Sequence, residues 1–502
     1  MNPPLAASTP REAERTRLAW ATLPADLTTP VRAFRSLRAA GHRACLLESV
    51  EGPARLARWS FVGLDPVARF RAGGGTGRLE RVGGETETIQ GPSHLGLREA
   101  ARRLPAPVPP PGLPPFCGGW IGFLRYEWAS TLEPRVPLPE HDPFGVPEAV
   151  FDCTTDLVAF DHASQRLVLL TACPGGAADH VAALGRLERV RADLEADATG
   201  EGGFRVLEPE PRARVSRAEY EAGVEELRRA IAQGEVFQAV LSQRFEQRFE
   251  GDPFTLYRVL RLVNPAPHMY FFEADGLALV GSSPERLVSL RGGRAQVVPI
   301  AGTRARAEDE EEDDRLAAEL LADPKERAEH DMLVDLARND LGRVARIGTV
   351  RVREHAVLEK FQRVQHLVSR VEGELAAGRD AIDLLAAAFP AGTVSGAPKV
   401  RAMQLLAELE PDQRGPYAGA FGYLDGAGNL DMAIAIRTLV VGRGAVHAQA
   451  GAGIVFDSVP EREYQETLDK SRALFEAVEL AASPAFQPEA PGAPTTELEA
   501  SR

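Results

Sequence analysis

The chain has 502 residues, 44% of them hydrophobic, with 72 acidic against 58 basic side chains and a formal net charge of −14. Such a length predicts roughly two to four domains, and the acidic balance argues against a nucleic-acid partner, which needs a basic face. No apolar h-region marks the N-terminus and no uncharged apolar run approaches the ~20 residues that span a bilayer, so a cytoplasmic location is expected.

The stretches RACLLESV (43–50) and ARWSFVGLDPVARF (57–70) read as short strands broken by glycine and proline. LPAPVPPPGLPP (104–115) is too proline-rich for a helix or central strand and reads as a stiff connector. VFDCTTDLVAFDHASQRLVLLTAC (150–173) predicts two strands joined at Asp161–Gln165, followed by a helix near 177–196. Cys45, Cys117, Cys153 and Cys173 form no C-x-x-C pair and read as buried thiols in a reducing compartment. Ser216 and Glu219 have capping-box spacing, so a helix is expected from there, with VFQAVLSQRFEQRF (236–249) as a following strand. The acidic run at 308–314 suits a helix N-terminus or a solvated face. Residues after about 484 are rich in Pro, Ala, Glu and Thr and are expected to fray. Strands followed by mixed helices and strands, without a βαβ rhythm, point to the α+β class.

Five stretches could carry chemistry. KERAEHDMLVDLARNDLGRV (325–344) is helical in pattern, and Glu329 shares the expected apolar face with Leu333 and Leu336. A carboxylate there must be paired, protonated or metal-bound. AGTVSGAPKVRAMQLLAEL (391–409) is a small-residue loop entering a helix at Pro398, an arrangement that either caps an ordinary helix or offers N–H groups to an anion. DMAIAIRTLVV (431–441) alternates as a strand with Arg437 among alanines, which leaves room for a bidentate carboxylate. QAGAG (449–453) permits close backbone approach. In EREYQETLDK (461–470), Glu463, Glu466 and Lys470 fall at i, i+3 and i+7 on one helix face, which alone reads as a solvated stripe. His366 alternates with Val364 and Val368 and is expected to point inward.

Taken in order, SPER (283–286), PIAGTR (299–304), EHDMLVDLARNDLGRV, GTVSGAPK, AIRT (435–438), QAGAGIV and EREYQETLDKSRAL resemble the chorismate-utilising enzymes over about residues 215–480. LLES (46–49), RWSFVGLDP (58–66) and GGWIGFLRYE (118–127) are similar to the N-terminal region of anthranilate synthase component I. The resemblance implies an α+β fold of two interleaved lobes, antiparallel sheets packed as a sandwich with helices outside. It divides the chain into a strand-rich regulatory region (1–205), a chorismate-binding catalytic region (206–484) and a disordered tail (485–502). It implies Mg²⁺ on Glu329 and Glu466 with Glu463 in the same cluster, Glu285 as general acid, and His366 and Lys470 beside the reacting substrate. Gly302, Thr303, Thr393, Tyr417, Arg437, Gly451 and Gly453 should line the substrate pocket. Glu48, Ser49, Pro267, His268 and Met269 should form a tryptophan-binding inhibitory site, with His268 where tyrosine is common in the family.

The activity implied is conversion of chorismate and ammonia to anthranilate and pyruvate, the first committed step of tryptophan biosynthesis. No cysteine has a G-x-C-x-G setting, so a separate glutamine amidotransferase subunit is expected to supply the ammonia, in a heterotetramer of two large and two small subunits. The alternatives are an aminodeoxychorismate synthase and a non-catalytic tryptophan-sensing subunit on the same fold. Two positions bear on the choice. Water-using relatives carry a lysine base where Gln238 stands, and many aminodeoxychorismate synthases carry a nucleophilic lysine where Ala301 stands.

Overall fold

The computed structural model describes residues 17–487 except 51–57, 105, 106, 109, 174, 176, 197–201, 308, 362 and 363. The expected frayed tail therefore lies largely outside the described residues, although Pro484–Phe486 form a short 3-10 turn and Gln487 hydrogen-bonds Phe204. Among the described residues, two antiparallel sheets of thirteen and twelve strands make the framework. Each takes strands from both sides of residue 205. In the first sheet, Ala44–Glu48 pairs with His268–Ala274. In the second, Gly119–Leu124 pairs with Ala420–Asp425.

Side chains alternate across each strand, and this sorts the core into three layers. From His268–Ala274, Tyr270 and Phe272 point between the sheets, where Tyr270 stacks on Phe421 of the other sheet at 4.0 Å. Met269 and Phe271 point outward, under the helices Pro30–Ala39, Ala177–Glu195, Pro253–Val263 and Pro460–Ala481. The outer face of the second sheet is covered by Ser93–Arg103, Pro324–Gly342 and Ala381–Ala388, while Lys399–Leu409 packs mainly with Arg217–Ala232 on the first-sheet strands Gln238–Gly251 and Ala445–Ile454. This is the expected α+β sandwich with helices outside.

Local signals read from the sequence hold. The helix Arg217–Ala232 starts on the Ser216/Glu219 capping box, and Gln238–Gly251 is a single long strand. The acidic run opens the helix Glu310–Ala322, with Asp309 as its cap. Within it, Asp313 is buried and paired with Arg306 and Lys360. The four cysteines are free and buried.

Two strand readings need correction, for one reason. Residues 150–173 make three strands, not two: Ala149–Thr154 lies in the second sheet, while Asp156–Asp161 and Arg166–Cys173 lie in the first. Residues 431–441 likewise divide into Leu430–Ile434 in the second sheet and Thr438–Gly442 in the first. Both faces of these strands are buried on either side of each break, so no polar turn marks the change of sheet, and the residues facing the inter-sheet core shift parity across it, from Val150 to Leu157 and Ala159. Leu277–Ser283 and Arg286–Arg291 change sheets in the same way.

Candidate active site

Two of these sheet changes lie side by side. The Ile434 amide donates to the Glu285 carbonyl at 3.0 Å, and the Ser282 amide donates to the Arg437 carbonyl at 3.0 Å. The Ser283 hydroxyl donates to the Ile434 carbonyl at 2.7 Å. Arg437 turns the chain with φ of 50°, a region that costs a non-glycine residue about 1 kcal/mol or more. Glu285 and Arg437 are therefore presented where the backbone leaves one sheet for the other, free of the face alternation that governs a regular strand.

The Glu285 carboxyl accepts a hydrogen bond from the Thr393 hydroxyl at 2.9 Å. Burial pushes it up to about 7, against the opposing pull of Thr393 and of Lys470. Thr393 belongs to the 3-10 turn Gly392–Val394, just before the helix Lys399–Leu409. The Arg437 guanidinium donates to the Lys470 carbonyl at 3.0 Å. Its burial, only partly offset by Tyr417 and Glu466, disfavours its charge. It is thus a half-buried cation short of anionic company, which suits a substrate carboxylate. Lys470 Nζ lies 2.6 Å from Glu466 and donates to the Gly451 carbonyl at 2.8 Å.

The glycines of QAGAG act by leaving space. A side chain on Gly451 would come within 3.1 Å of the Tyr417 hydroxyl, and one on Gly453 within 2.6 Å of the Gln238 amide. Tyr417 is buried, its phenol pushed up to about 12 by that burial. In the second sheet, Gly302 makes a register shift in strand Ile300–Ala305 at φ of 68°. Its carbonyl accepts from His366 Nδ1 at 3.0 Å, and the Thr303 hydroxyl lies 3.1 Å from the same nitrogen. A carbonyl only accepts, so Nδ1 carries the proton. His366 is half-buried, whereas Gln365 and Leu367 beside it are buried.

The helices Pro324–Gly342 and Pro460–Ala481 bring the acidic cluster together. Burial raises Glu329, Lys325 at 4.0 Å pulls it down, and Glu326, Glu466 and Glu463 raise it further. Glu463 is also raised, by burial first and by Glu466, against a hydrogen bond from Ser458. The helix face differs from the expected one: the buried stripe is His330, Val334, Ala337 and Leu341. Glu329, Leu333 and Leu336 are half-buried at its flank, so Glu329 borders the cluster rather than the core. Among the described residues, no three His, Cys, Asp or Glu side chains converge as a ready-made metal cage.

A second cleft, of about 940 Å³, is lined by Glu48, Ser49, Pro267, His268 and Met269, with Arg286 on its wall. The Glu48 carboxylate is buried and already accepts from Tyr257 at 2.5 Å and from Arg261 at 3.0 and 3.2 Å. Two carboxylate oxygens offer about four acceptor sites, so one remains for a ligand. Burial and Arg286 pull His268 down to about 4, against Asp431, which keeps its ring neutral at pH 7.

Sequence reasoning missed Arg414 and Glu410, a buried pair behind the pocket. Their i,i+4 spacing was the available signal, but it is equally the spacing of a surface pair. The half-buried pair Asp340–Lys399, at 3.0 Å, was missed as well.

The sequence profile of the chorismate binding enzymes matches residues 43–476. The chain is 46% identical over 467 residues to anthranilate synthase component 1 of Streptomyces coelicolor, covering 91% of this chain and 88% of that protein. It is 46% identical over 474 residues to anthranilate synthase component 1 of Thermus thermophilus, covering 93% and 99%. The solved anthranilate synthase component I from Streptococcus pneumoniae superposes with a TM-score of 0.73 at 36% identity, covering 83% of this chain and 92% of that one. With Glu285, Thr393, Arg437 and Lys470 gathered where two sheet crossovers meet, and with these relatives along nearly its whole length, the chain belongs to the chorismate binding enzyme family as a homologue of anthranilate synthase component 1.

Proposed function

We propose that the chain converts chorismate and ammonia to anthranilate and pyruvate, as the large subunit of an anthranilate synthase. The observation that carries this reading is the Glu285 carboxyl, held by the Thr393 hydroxyl with Lys470 nearby and pushed up to about 7 by burial. A general acid works best with a pKa near the operating pH. Glu285 protonates the departing 4-hydroxyl of the ring as ammonia adds at C2. Thr393 aims the carboxyl, Arg437 grips a substrate carboxylate, and Lys470, steered by the Gly451 carbonyl, supports the enolpyruvyl side. His366, its Nδ1 committed to Gly302, turns its other nitrogen toward the ring.

Magnesium fits the donor set. Glu329 and Glu463 are hard oxygen donors whose proton affinities are both raised by burial and by Glu466, which marks uncompensated negative charge. Mg²⁺ takes one or two carboxylates together with water and an anionic substrate. Glu329 and Glu466 would hold the ion, with Glu463 beside them, and the ion supplies charge neutralisation at the substrate carboxylate. Turnover is expected to stop in excess chelator; full activity there would remove the metal from this reading.

Two residues that lack a basic amine favour anthranilate over related products. Gln238 lies against Gly453 and cannot serve as a base for water. Ala301 has no amine with which to attack the ring. Ammonia is expected from a partner glutamine amidotransferase, because the thiols here are buried: Cys45, Cys117 and Cys153 are pushed up to about 12, chiefly by that burial. A heterotetramer in the cytoplasm, inhibited by tryptophan in the second cleft, completes the reading. No helix among the described residues is long and apolar enough to cross a membrane.

The test is to incubate the purified chain with chorismate, Mg²⁺ and either ammonium or glutamine. The expected result is 2-aminobenzoate with ammonium and none with glutamine alone. Chromatography showing 4-amino-4-deoxychorismate or isochorismate as the main product would overturn the assignment.

A further inference from the structure

Arg414 is 1% exposed and its guanidinium donates four hydrogen bonds. Two go to Glu410 at 2.7 and 2.6 Å, one to the Val394 carbonyl at 2.6 Å, and one to the Val240 carbonyl at 2.7 Å. Its charged face lies 4.4 Å from the Tyr126 ring centre and 5.8 Å from that of Tyr417. Glu410 also accepts from the Ser242 amide and hydroxyl at 2.9 and 2.8 Å. The amide of Arg414 itself donates to Glu127 at 2.6 Å. Nothing in this group faces solvent.

A buried ion pair contributes little net stability, since well-packed apolar residues of similar volume often do as well. What distinguishes this pair is where its hydrogen bonds end. Val394 follows Thr393, the residue that donates to Glu285. Val240 lies two residues beyond Gln238, whose amide rests against Gly453. The Val240 amide in turn donates to the Ser395 carbonyl at 2.9 Å, tying the same loop to the same strand. Charge-assisted bonds are short and directional, so a planar fork shared by two carbonyls holds the loop and the strand in register.

We infer that Arg414 is a positioning residue for the reaction: with Glu410 as counter-ion, it holds the Val394 and Val240 carbonyls so that the Thr393 hydroxyl stays on Glu285. The kinetic consequence rests on the chorismate reading; the geometric one does not. Other charged groups near Glu285 are Lys470, Arg286 paired with Asp431, and Asp340 paired with Lys399. Of these neighbours and Thr393, it is the Thr393 segment that Arg414 holds directly. Because the Thr393 bond lowers the proton affinity of Glu285, loosening it raises that affinity.

The test uses Glu410→Gln/Arg414→Gln, which removes both charges and leaves no unpaired buried ion, and Arg414→Lys, which keeps the charge but loses the fork. Two quantities are read: the alkaline limb of kcat/KM, and the carboxyl titration of Glu285 by infrared difference against Glu285→Gln. The expected result is a fall in kcat of roughly tenfold or more with KM little changed. The Glu285 titration should move to higher pH, in the direction Thr393→Val moves it. Adding Thr393→Val to either variant should move it no further, because both changes act through one contact. A folded variant with the wild-type titration, or a Thr393→Val shift that adds in full, would overturn the inference. If the double variant does not fold, Arg414→Lys decides alone. If wild type fails to turn over chorismate, the substrate reading falls while the infrared titration still judges Arg414.

Discussion

Glu48 and Glu285 stand on either side of one strand pair. Glu48 is the register partner of Met269, and Ser283, two residues before Glu285, is that of His268. Both glutamates are drawn in from solvent, but their company differs. Glu48 has both oxygens on Arg261 and a third bond from Tyr257. Glu285 has one hydroxyl and a lysine that opposes its burial only in part. Arg261 grips Glu48 through two parallel hydrogen bonds and makes it an anchor; Glu285 has no such partner, and burial lets it keep its proton near neutrality and give it up. Partner chemistry, not depth, separates the residue suited to proton transfer from the one suited to holding a cleft in shape.

The comparison is broken most directly at Glu285. Glu285→Gln is expected to lower kcat by about 10²–10⁴-fold, the usual contribution of a positioned acid, with the fold intact by circular dichroism. Its effect on stability has a definite sign. The folded value of about 7 lies above the ordinary 4.5, so the contribution of this carboxyl is fully present below 4.5 and lost as pH rises through 7. The variant should therefore gain on wild type in denaturant midpoint above pH 7 and lose that advantage at pH 4. A variant with near wild-type kcat would remove Glu285 from the chemistry.

Arg437→Ala comes next. Losing a charge-assisted bond to a buried carboxylate costs about 1.5–3 kcal/mol, so kcat/KM should fall roughly tenfold or more. An efficiency close to wild type would mean that this half-buried arginine meets no substrate anion.

Glu48→Gln sharpens the contrast from the other side. It strands the Arg261 charge, and a cost of about 1–3 kcal/mol in stability is expected, read as a lower denaturant midpoint, with a change in kcat far smaller than that of Glu285→Gln. Equal loss of turnover in the two variants would abolish the distinction between the clefts. The smallest effect is expected from Ser49→Ala or Met269→Thr, which should weaken inhibition by tryptophan while sparing catalysis. Calorimetry showing no tryptophan binding to the wild-type chain would take the ligand out of that cleft.

The sequence by itself determined what depends on neighbours along the chain. The Ser216/Glu219 box, the Asp309 cap over an acidic first turn and the long strand Gln238–Gly251 follow from short-range hydrogen bonding and period-2 burial. So does the stripe that sets Glu466 against Lys470. The order of motifs was legible too, and with it the residues worth examining. Only the tertiary structure decided where strands change sheet. The runs around Thr155 and 435–437 are buried on both faces, so the shift of phase at each crossover leaves no polar break, and a one-dimensional pattern is blind to which sheet supplies the partner strand. The proton affinity of Glu285 and the role of Arg414 belong to the same class. Desolvation and the reach of a guanidinium to carbonyls at Val394 and Val240 depend on distances between segments far apart in sequence, and those distances exist only once the chain has folded.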